Sequence, residues 1–379
     1  MTDGIRYVDE FRDPQLAQSL LEEIHQLTPQ LMQGRDRPLQ IMEVCGGHTH
    51  SIFRYGLNAL LPKDIEFVHG PGCPVCVLPM GRIDDCLNIA RRENVIIASF
   101  GDAMRVPGSS QSLLQARAEG ADIRMVYSPE EALNLARQNP DREVVFFAIG
   151  FETTMPSTCF TVMAAARDKV ENFSIFCNHI TIVSTIKAIL DSPDMRLDGL
   201  LGPGHVSMVI GTEVFEFVAD HYQLPFVVAG FEPLDILQAV YMVIKQRAEN
   251  RAQVENQYSR VVISSGNAMA IQALGEVFQL REVFEWRGLG AIDYSAVSLT
   301  DKYRQFDAEK RFAIANVHIS DPSSCQCGEV LKGVIKPRDC KVFGQSCTPE
   351  QPLGALMVSS EGACAAYYRY AHKPMDSSP

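Results

Sequence analysis

The residues able to do chemistry are concentrated first between Cys45 and Cys76. The chain reads Val-Cys-Gly-Gly-His-Thr-His from Val44 to His50 and His-Gly-Pro-Gly-Cys-Pro-Val-Cys from His69 to Cys76. A thiolate with a neighbouring imidazole suits iron, zinc or copper, so Cys45 with His48 or His50 is a candidate transition-metal site. His48 is taken as the nearer ligand and His50 as a capping or supporting group; Gly46 and Gly47 allow close backbone approach. Cys73-Pro-Val-Cys76 is a C-x-x-C pair, which can cycle between dithiol and disulfide or contribute two metal ligands. Gly-Pro before it and Pro74 inside it predict a rigid, exposed turn, against the plainer reading of two small core residues.

A second concentration closes the chain: Cys325, Cys327, Cys340, Cys347 and Cys364. A 4Fe-4S cluster needs four converging thiolates. Cys327, Cys340, Cys347 and Cys364 can supply them, with 12, 6 and 16 residues between successive cysteines. Structural zinc usually shows paired C-x-x-C knuckles at both ends of the site, and these are missing. Zinc and unligated buried thiols stay open on spacing alone, as does Cys325 as an alternative ligand.

Other candidates lie at strand ends. His205, in Gly202-Pro-Gly-His205, is placed to face the same cleft as Cys45, although a His after Pro-Gly is more often an ordinary surface residue. Asp102 and Glu152, the latter in Gly150-Phe-Glu-Thr-Thr154, either orient ligands and move protons or simply cap helices. Cys86 and Cys159 sit in helical patterns and read as core; Cys177 is ambiguous.

The elements that must position these groups follow from periodicity. Asp13 before Pro14 is a helix start, and Leu16, Leu20, Leu21, Ile24 and Leu27 recur at helical spacing. Short apolar strands then end at Val44, Val68, Phe100 and Val126, with helices predicted over Ser51–Leu61, Arg82–Arg92, Ser112–Glu119 and Pro129–Gln138, the last opened by a capping box at Ser128. Further strands run over Val144–Ile149, Phe173–Cys177, Leu200–Leu201 and Phe226–Ala229. This alternation predicts an α/β fold with parallel sheets whose carboxyl-end loops carry the site.

Cys45 and Cys177 are separated by 132 positions, as are Gly-Pro-Gly-Cys73 and Gly-Pro-Gly-His205. The expected organisation is therefore two similar α/β lobes related by internal duplication, facing one cleft. An N-terminal helical segment packing on the body occupies 1–37, the first lobe 38–139 and the second 140–233. Residues 234–379 form a helical and cysteine-rich iron–sulfur domain, with a long helical pattern over Leu234–Gln257, a strand at Val261–Ser264, a helix over Ala268–Phe278 and an irregular segment after Ile319 that a metal would hold together. The tail after His372 reads as disordered.

The 379 residues carry a net charge of -12, with 46% apolar and 21% charged residues. These are globular values, and the absence of a basic stripe argues against nucleic acid as a partner. Charged residues in Met1–Asp13 leave no signal-peptide h-region. No uncharged apolar run approaches the roughly 18 residues of a spanning helix, so the expectation is a cytoplasmic protein with no membrane partner, whose 11 cysteines serve metal and redox chemistry instead of disulfides. No P-loop, dinucleotide-binding glycine motif or nucleophile elbow is present.

Cys45-Gly-Gly-His-Thr-His50, His69-Gly-Pro-Gly-Cys-Pro-Val-Cys76, Gly150-Phe-Glu-Thr-Thr154, Gly202-Pro-Gly-His-Val-Ser207 and Ser359-Ser-Glu-Gly-Ala-Cys364 together resemble one family, the hydrogenase maturation factor HypD, from about Arg6 to about Tyr370. The resemblance implies a cytoplasmic scaffold that assembles the Fe(CN)2CO group of NiFe hydrogenases with a HypC-type small chaperone and a HypE-type cyanide donor. It implies a transient iron carrying CN and CO at Cys45, with a cysteine of the small chaperone as a further ligand. It also implies redox traffic through Cys73 and Cys76, a 4Fe-4S cluster on Cys327, Cys340, Cys347 and Cys364, and Glu361 near that cluster; Cys325 falls outside the family's ligand pattern. Whether such a scaffold counts as an enzyme is a matter of definition. The rival classes are a free-standing thiol–disulfide oxidoreductase and a zinc-stabilised binding module.

Overall fold

The computed structural model describes residues 9–193, 195–314, 319 and 322–370; the tail after His372 lies outside them. Two all-parallel sheets dominate. The larger has the order β2-β1-β7-β8-β9, built from β1 (Leu39–Glu43), β2 (Ile65–His69), β7 (Gly199–Pro203), β8 (Phe226–Ala229) and β9 (Val254–Asn256). The smaller has the order β4-β3-β5-β6, from β3 (Val95–Ser99), β4 (Ile123–Met125), β5 (Glu143–Gly150) and β6 (Phe173–His179). The central strands are near-continuous apolar runs buried on both faces, as parallel sheets covered by helices require. Two short antiparallel ribbons follow: β10 (Phe278–Leu280) with β13 (Val297–Leu299), and β11 (Val283–Trp286) with β12 (Gly290–Asp293).

The α/β class and the parallel sheets are as the periodicity predicts, but the sheets cut across the division expected at 139/140. The chain lays down β1 and β2, leaves to build the whole smaller sheet, then returns to complete the larger one. The two sheets share a strand-order pattern, so any kinship is nested and not tandem. The 132-residue offset does not relate equivalent places: Gly-Pro-Gly-Cys73 follows β2, whereas Gly202 and Pro203 are the end of β7, a strand of the same sheet, and Cys177 lies inside β6. Hydrogen-bond pairing between strands far apart in sequence decided this, and local pattern does not encode it.

Several local expectations hold. Asp13 Oδ1 accepts the Gln15 N–H at 2.8 Å and Pro14 opens the helix Pro14–Leu31, which packs through Ile24 against the helix Pro233–Ala248. Ser128 accepts the Glu131 N–H, while Glu131 reaches back to the Tyr127 N–H instead of closing the reciprocal box. Others are corrected. The helix predicted over Ser51–Leu61 begins earlier, as Gly46–Arg54, and is broken by Gly56 at φ 65°. The pattern over Leu234–Gln257 stops at Ala248, and β9 adds an edge strand to β8. Val261–Ser264 is a turn, with no strand.

Behind the C-x-x-C, the helix Met80–Ala90 is anchored to the smaller sheet by Arg82. Its guanidinium bonds Asn178 Oδ1, the Cys177 carbonyl and Glu309, and lies 4.0 Å from the Phe176 ring centroid. Arg281 holds the same carboxylate at 2.6 Å. Burial pulls the Glu309 carboxyl upward, but the two guanidiniums outweigh it and hold it down to about 2, from 4.5. A depressed folded-state value contributes stability fully present above the unfolded value and lost as pH falls toward 2, here about 3 kcal/mol. Glu309→Gln is expected to lose about that amount at pH 7 and to flatten the fall in urea midpoint between pH 4.5 and 2; equal slopes in both proteins would refute the assignment.

Candidate functional site

Four strands of the larger sheet end on one edge, and each delivers a functional group there: Cys45 after β1, Cys73 after β2, His205 after β7 and Phe231 after β8. β1 and β7 are neighbours from which the chain runs off in opposite directions, the switch point at which open α/β sheets carry ligands.

Cys45 is the N-cap of the helix Gly46–Arg54, with φ -145° and ψ 122°. The motif read as a loop is thus the first turn of a helix. Two glycines disfavour that turn, and packing overrides them: Phe53 stacks edge-on to Tyr367 of the C-terminal helix Ala363–Tyr370 at 4.8 Å. Gly47 is needed because a Cβ there would stand 2.9 Å from the Phe231 ring, and Gly46 because one would stand 2.6 Å from Glu361 Cβ. Burial pushes the Cys45 thiol up to about 12; the Glu43 and Glu361 carboxylates add to this, and the Gly47 and His48 amides oppose it. A cation arriving there would displace a proton.

His48 is fully buried. Its Nε2 donates to the Ala229 carbonyl at 3.1 Å, which leaves Nδ1 a buried acceptor without a partner. Burial pushes the imidazole toward its neutral form, the form that ligates metals. His205 is exposed and stacks on Phe231 at 3.8 Å, and Phe231 stacks on His48 at 4.7 Å. His205 therefore does face the Cys45 edge.

Cys73 and Cys76 form the expected turn, but both are buried instead of exposed, because Val75, Val77 and Leu78 carry the turn into the core. Their sulfurs stand 2.6 Å apart as free thiols, close to the roughly 2.05 Å of a disulfide bond. Burial, then Cys73, Glu361 and Cys364, push the Cys76 thiol up.

All five C-terminal cysteines, Cys325, Cys327, Cys340, Cys347 and Cys364, line one cavity with Val330, Leu356 and Met357. A Cβ on Gly288 would stand 3.0 Å from Cys327 Sγ and one on Gly354 2.5 Å from Cys325 Sγ. Among the described residues no three His, Cys, Asp or Glu side chains stand at metal-holding spacing. What fits a cluster is the donor set: soft thiols gathered around one apolar cavity.

The segment Ser359–Cys364 joins these places. Glu361 lies against Gly46, Gly362 against Cys76, whose Sγ would be 2.9 Å from a Cβ there, and Cys364 enters the cysteine cavity. Glu361 is pushed up by burial and by the Asp102 and Glu43 carboxylates, so the exposed Asp102 belongs to the neighbourhood. Glu152 takes the helix-capping reading: its Oε1 accepts the Ile182 N–H at 3.0 Å, its Oε2 is buried without a partner, and burial pushes it up to about 7. Cys86 and Cys159 are core, and Cys177 is buried with its thiol on the Val297 carbonyl at 3.3 Å.

The residue pattern missed Glu43 and Phe231, and it counted His69 among the imidazoles without giving it a role. Glu43 had a signal, a carboxylate closing an otherwise largely apolar strand. Phe231 had none, since its place between two imidazoles depends on strand order.

The HypD family model, described as the hydrogenase formation hypA family, matches residues 15–371. The chain belongs to the HypD family. It is 57% identical over 370 residues to hydrogenase maturation factor HypD of Rhodobacter capsulatus, covering 97% of this chain and 98% of that one. It is 53% identical to the protein of the same name from Escherichia coli K12, over 98% of this chain and 100% of that one. HypD2 of Bradyrhizobium diazoefficiens is 51% identical, with 97% of each covered. Among the described residues no helix is long and apolar enough to cross a membrane.

Proposed function

We propose that this HypD-family hydrogenase maturation factor is a cytoplasmic scaffold for assembling the Fe(CN)2CO group. In this reading the iron is cargo, bound by Cys45 with His48 Nδ1 as the nearby second donor, and a HypC-type chaperone contributes a further cysteine ligand. A HypE-type partner delivers cyanide as a thiocyanate, R–S–C≡N. Releasing it as cyanide consumes two electrons and leaves a thiolate. The Cys73–Cys76 dithiol supplies both electrons and becomes a disulfide; of its two protons, one goes to the donor sulfur and one to solvent.

Cys327, Cys340, Cys347 and Cys364 would hold a 4Fe-4S cluster, which when bound supplies single electrons beside Cys76. The chain's own part is to exclude water from the thiol pair and to keep the iron site and the cysteine cavity at the two ends of one short segment. The observation that carries the reading is that segment: Glu361 against the Cys45 turn, Gly362 against Cys76 and Cys364 in the cavity.

Anaerobic purification with iron, zinc and sulfide assays tests it. The expected preparation is brown, with iron and sulfide that Cys340→Ala removes. A colourless zinc protein would favour the binding module, and reduction of insulin without a partner would favour the free-standing oxidoreductase.

A further inference from the structure

Glu43 and His69 are the last residues of β1 and β2 and are register partners. Both side chains are buried, Glu43 completely. His69 Nδ1 stands 2.8 Å from Glu43 Oε1, the Thr49 hydroxyl donates to the same oxygen, and Glu43 Oε2 accepts the Cys45 backbone N–H at 3.0 Å. One carboxylate thus ties together the strand that leads to Cys73, the first helical turn after Cys45, and the Cys45 backbone itself.

A buried carboxylate is costly unless every oxygen is engaged, and here both are. The cost would be avoided by a neutral residue of the same shape. What only a carboxylate provides is two acceptor oxygens on one rigid group, one facing the Thr49 hydroxyl and His69 Nδ1 and the other the Cys45 N–H. His69 in turn packs against Phe53 at 5.1 Å and Tyr367 at 5.9 Å, so the pair is also braced by the C-terminal helix that begins at the cysteine cavity.

We propose that Glu43, oriented by His69, is a positioning residue that fixes Cys45 against the C-x-x-C turn and sets the affinity of the Cys45 site for a divalent cation. The inference rests on the reading of Cys45 as the cargo-iron ligand. Outer groups that orient a metal ligand typically carry 10–100-fold of the affinity.

Cobalt(II), a spectroscopic stand-in for ferrous iron, is titrated anaerobically into the full chain as purified, following the thiolate-to-cobalt absorption that Cys45→Ser removes. Glu43→Gln is expected to weaken that binding about 10–100-fold with far-UV circular dichroism unchanged, and Glu43→Asp, which restores the second acceptor oxygen, to recover part of the loss. If Glu43→Gln does not fold, His69→Gln carries the test, with about a 10-fold loss expected. Wild-type affinity in the folded variant, or a loss in Glu43→Gln that Glu43→Asp does not begin to reverse, overturns the inference. Thiolate absorption that persists in Cys45→Ser instead overturns the underlying assignment of Cys45.

Discussion

Replacing Cys45 by alanine is expected to abolish the infrared bands of iron-bound cyanide and carbon monoxide while leaving the iron and sulfide of the cysteine cavity in place. Among the described residues, this sulfur is the one thiol on the switch-point edge that is not already in contact with another thiol. Cys73 and Cys76 are occupied with each other at 2.6 Å, and His48 alone offers a single nitrogen. A thiolate also adds electron density that iron can pass back to cyanide and carbon monoxide, which nitrogen replaces poorly. The substitution removes one sulfur atom from a helix N-cap, so thermal stability should change little. Bands of full intensity in Cys45→Ala would show that the cargo is held elsewhere and would remove the basis of the proposed function.

The second large effect is expected from Gly72→Ala. A Cβ at Gly72 would fall on the Cα and N of Cys45 and the carbonyl carbon of Val44, backbone atoms that no rotamer change can move aside. The Gly72 carbonyl also accepts the Gly46 N–H at 3.2 Å, so the two cysteine-bearing turns are in direct backbone contact. Overpacking usually costs about 1–3 kcal/mol; with backbone on both sides the expected loss is at the top of that range or above it, read as a lowered urea midpoint. Gly275 is the control. It lies in the helix Ala268–Val277 with nothing within 4 Å of an added Cβ, and Gly275→Ala should be neutral or stabilising by up to about 1 kcal/mol. Equal behaviour of the two variants would mean that the contact between the turns is not as tight as described. A folded Gly72→Ala protein should also show altered reactivity of Cys45 toward alkylating agents, because the shift needed to admit the methyl must move that residue.

Strand positions were legible because buried parallel strands are short apolar runs bounded by glycine and proline, and the ends at Glu43, His69, Ser99 and Met125 fall within a residue of those read from the sequence. Helix starts with a side-chain cap, such as Asp13 before Pro14, were equally plain. The start at Gly46 was not, since its propensity is poor and its support comes from Phe231, Glu361 and Tyr367, all distant in sequence. The same reason hid the stacked His48–Phe231–His205 arrangement and the burial of Cys73 and Cys76.

The sequence by itself determined the chemical types: thiols and imidazoles in two short motifs, a dithiol at C-x-x-C spacing, five cysteines near the end, and the family to which their order belongs. These are covalent facts about which atoms are available. Tertiary structure alone decided which of them meet, because meeting depends on strand order, and strand order is set by hydrogen bonding between segments more than a hundred residues apart, such as β1 with β7 in the register Ile41 with Gly199. The regularity at 132 positions pointed to two facing lobes, whereas backbone pairing placed Cys73 and His205 on one edge of one sheet, and the segment Ser359–Cys364 runs from that edge to the cysteine cavity.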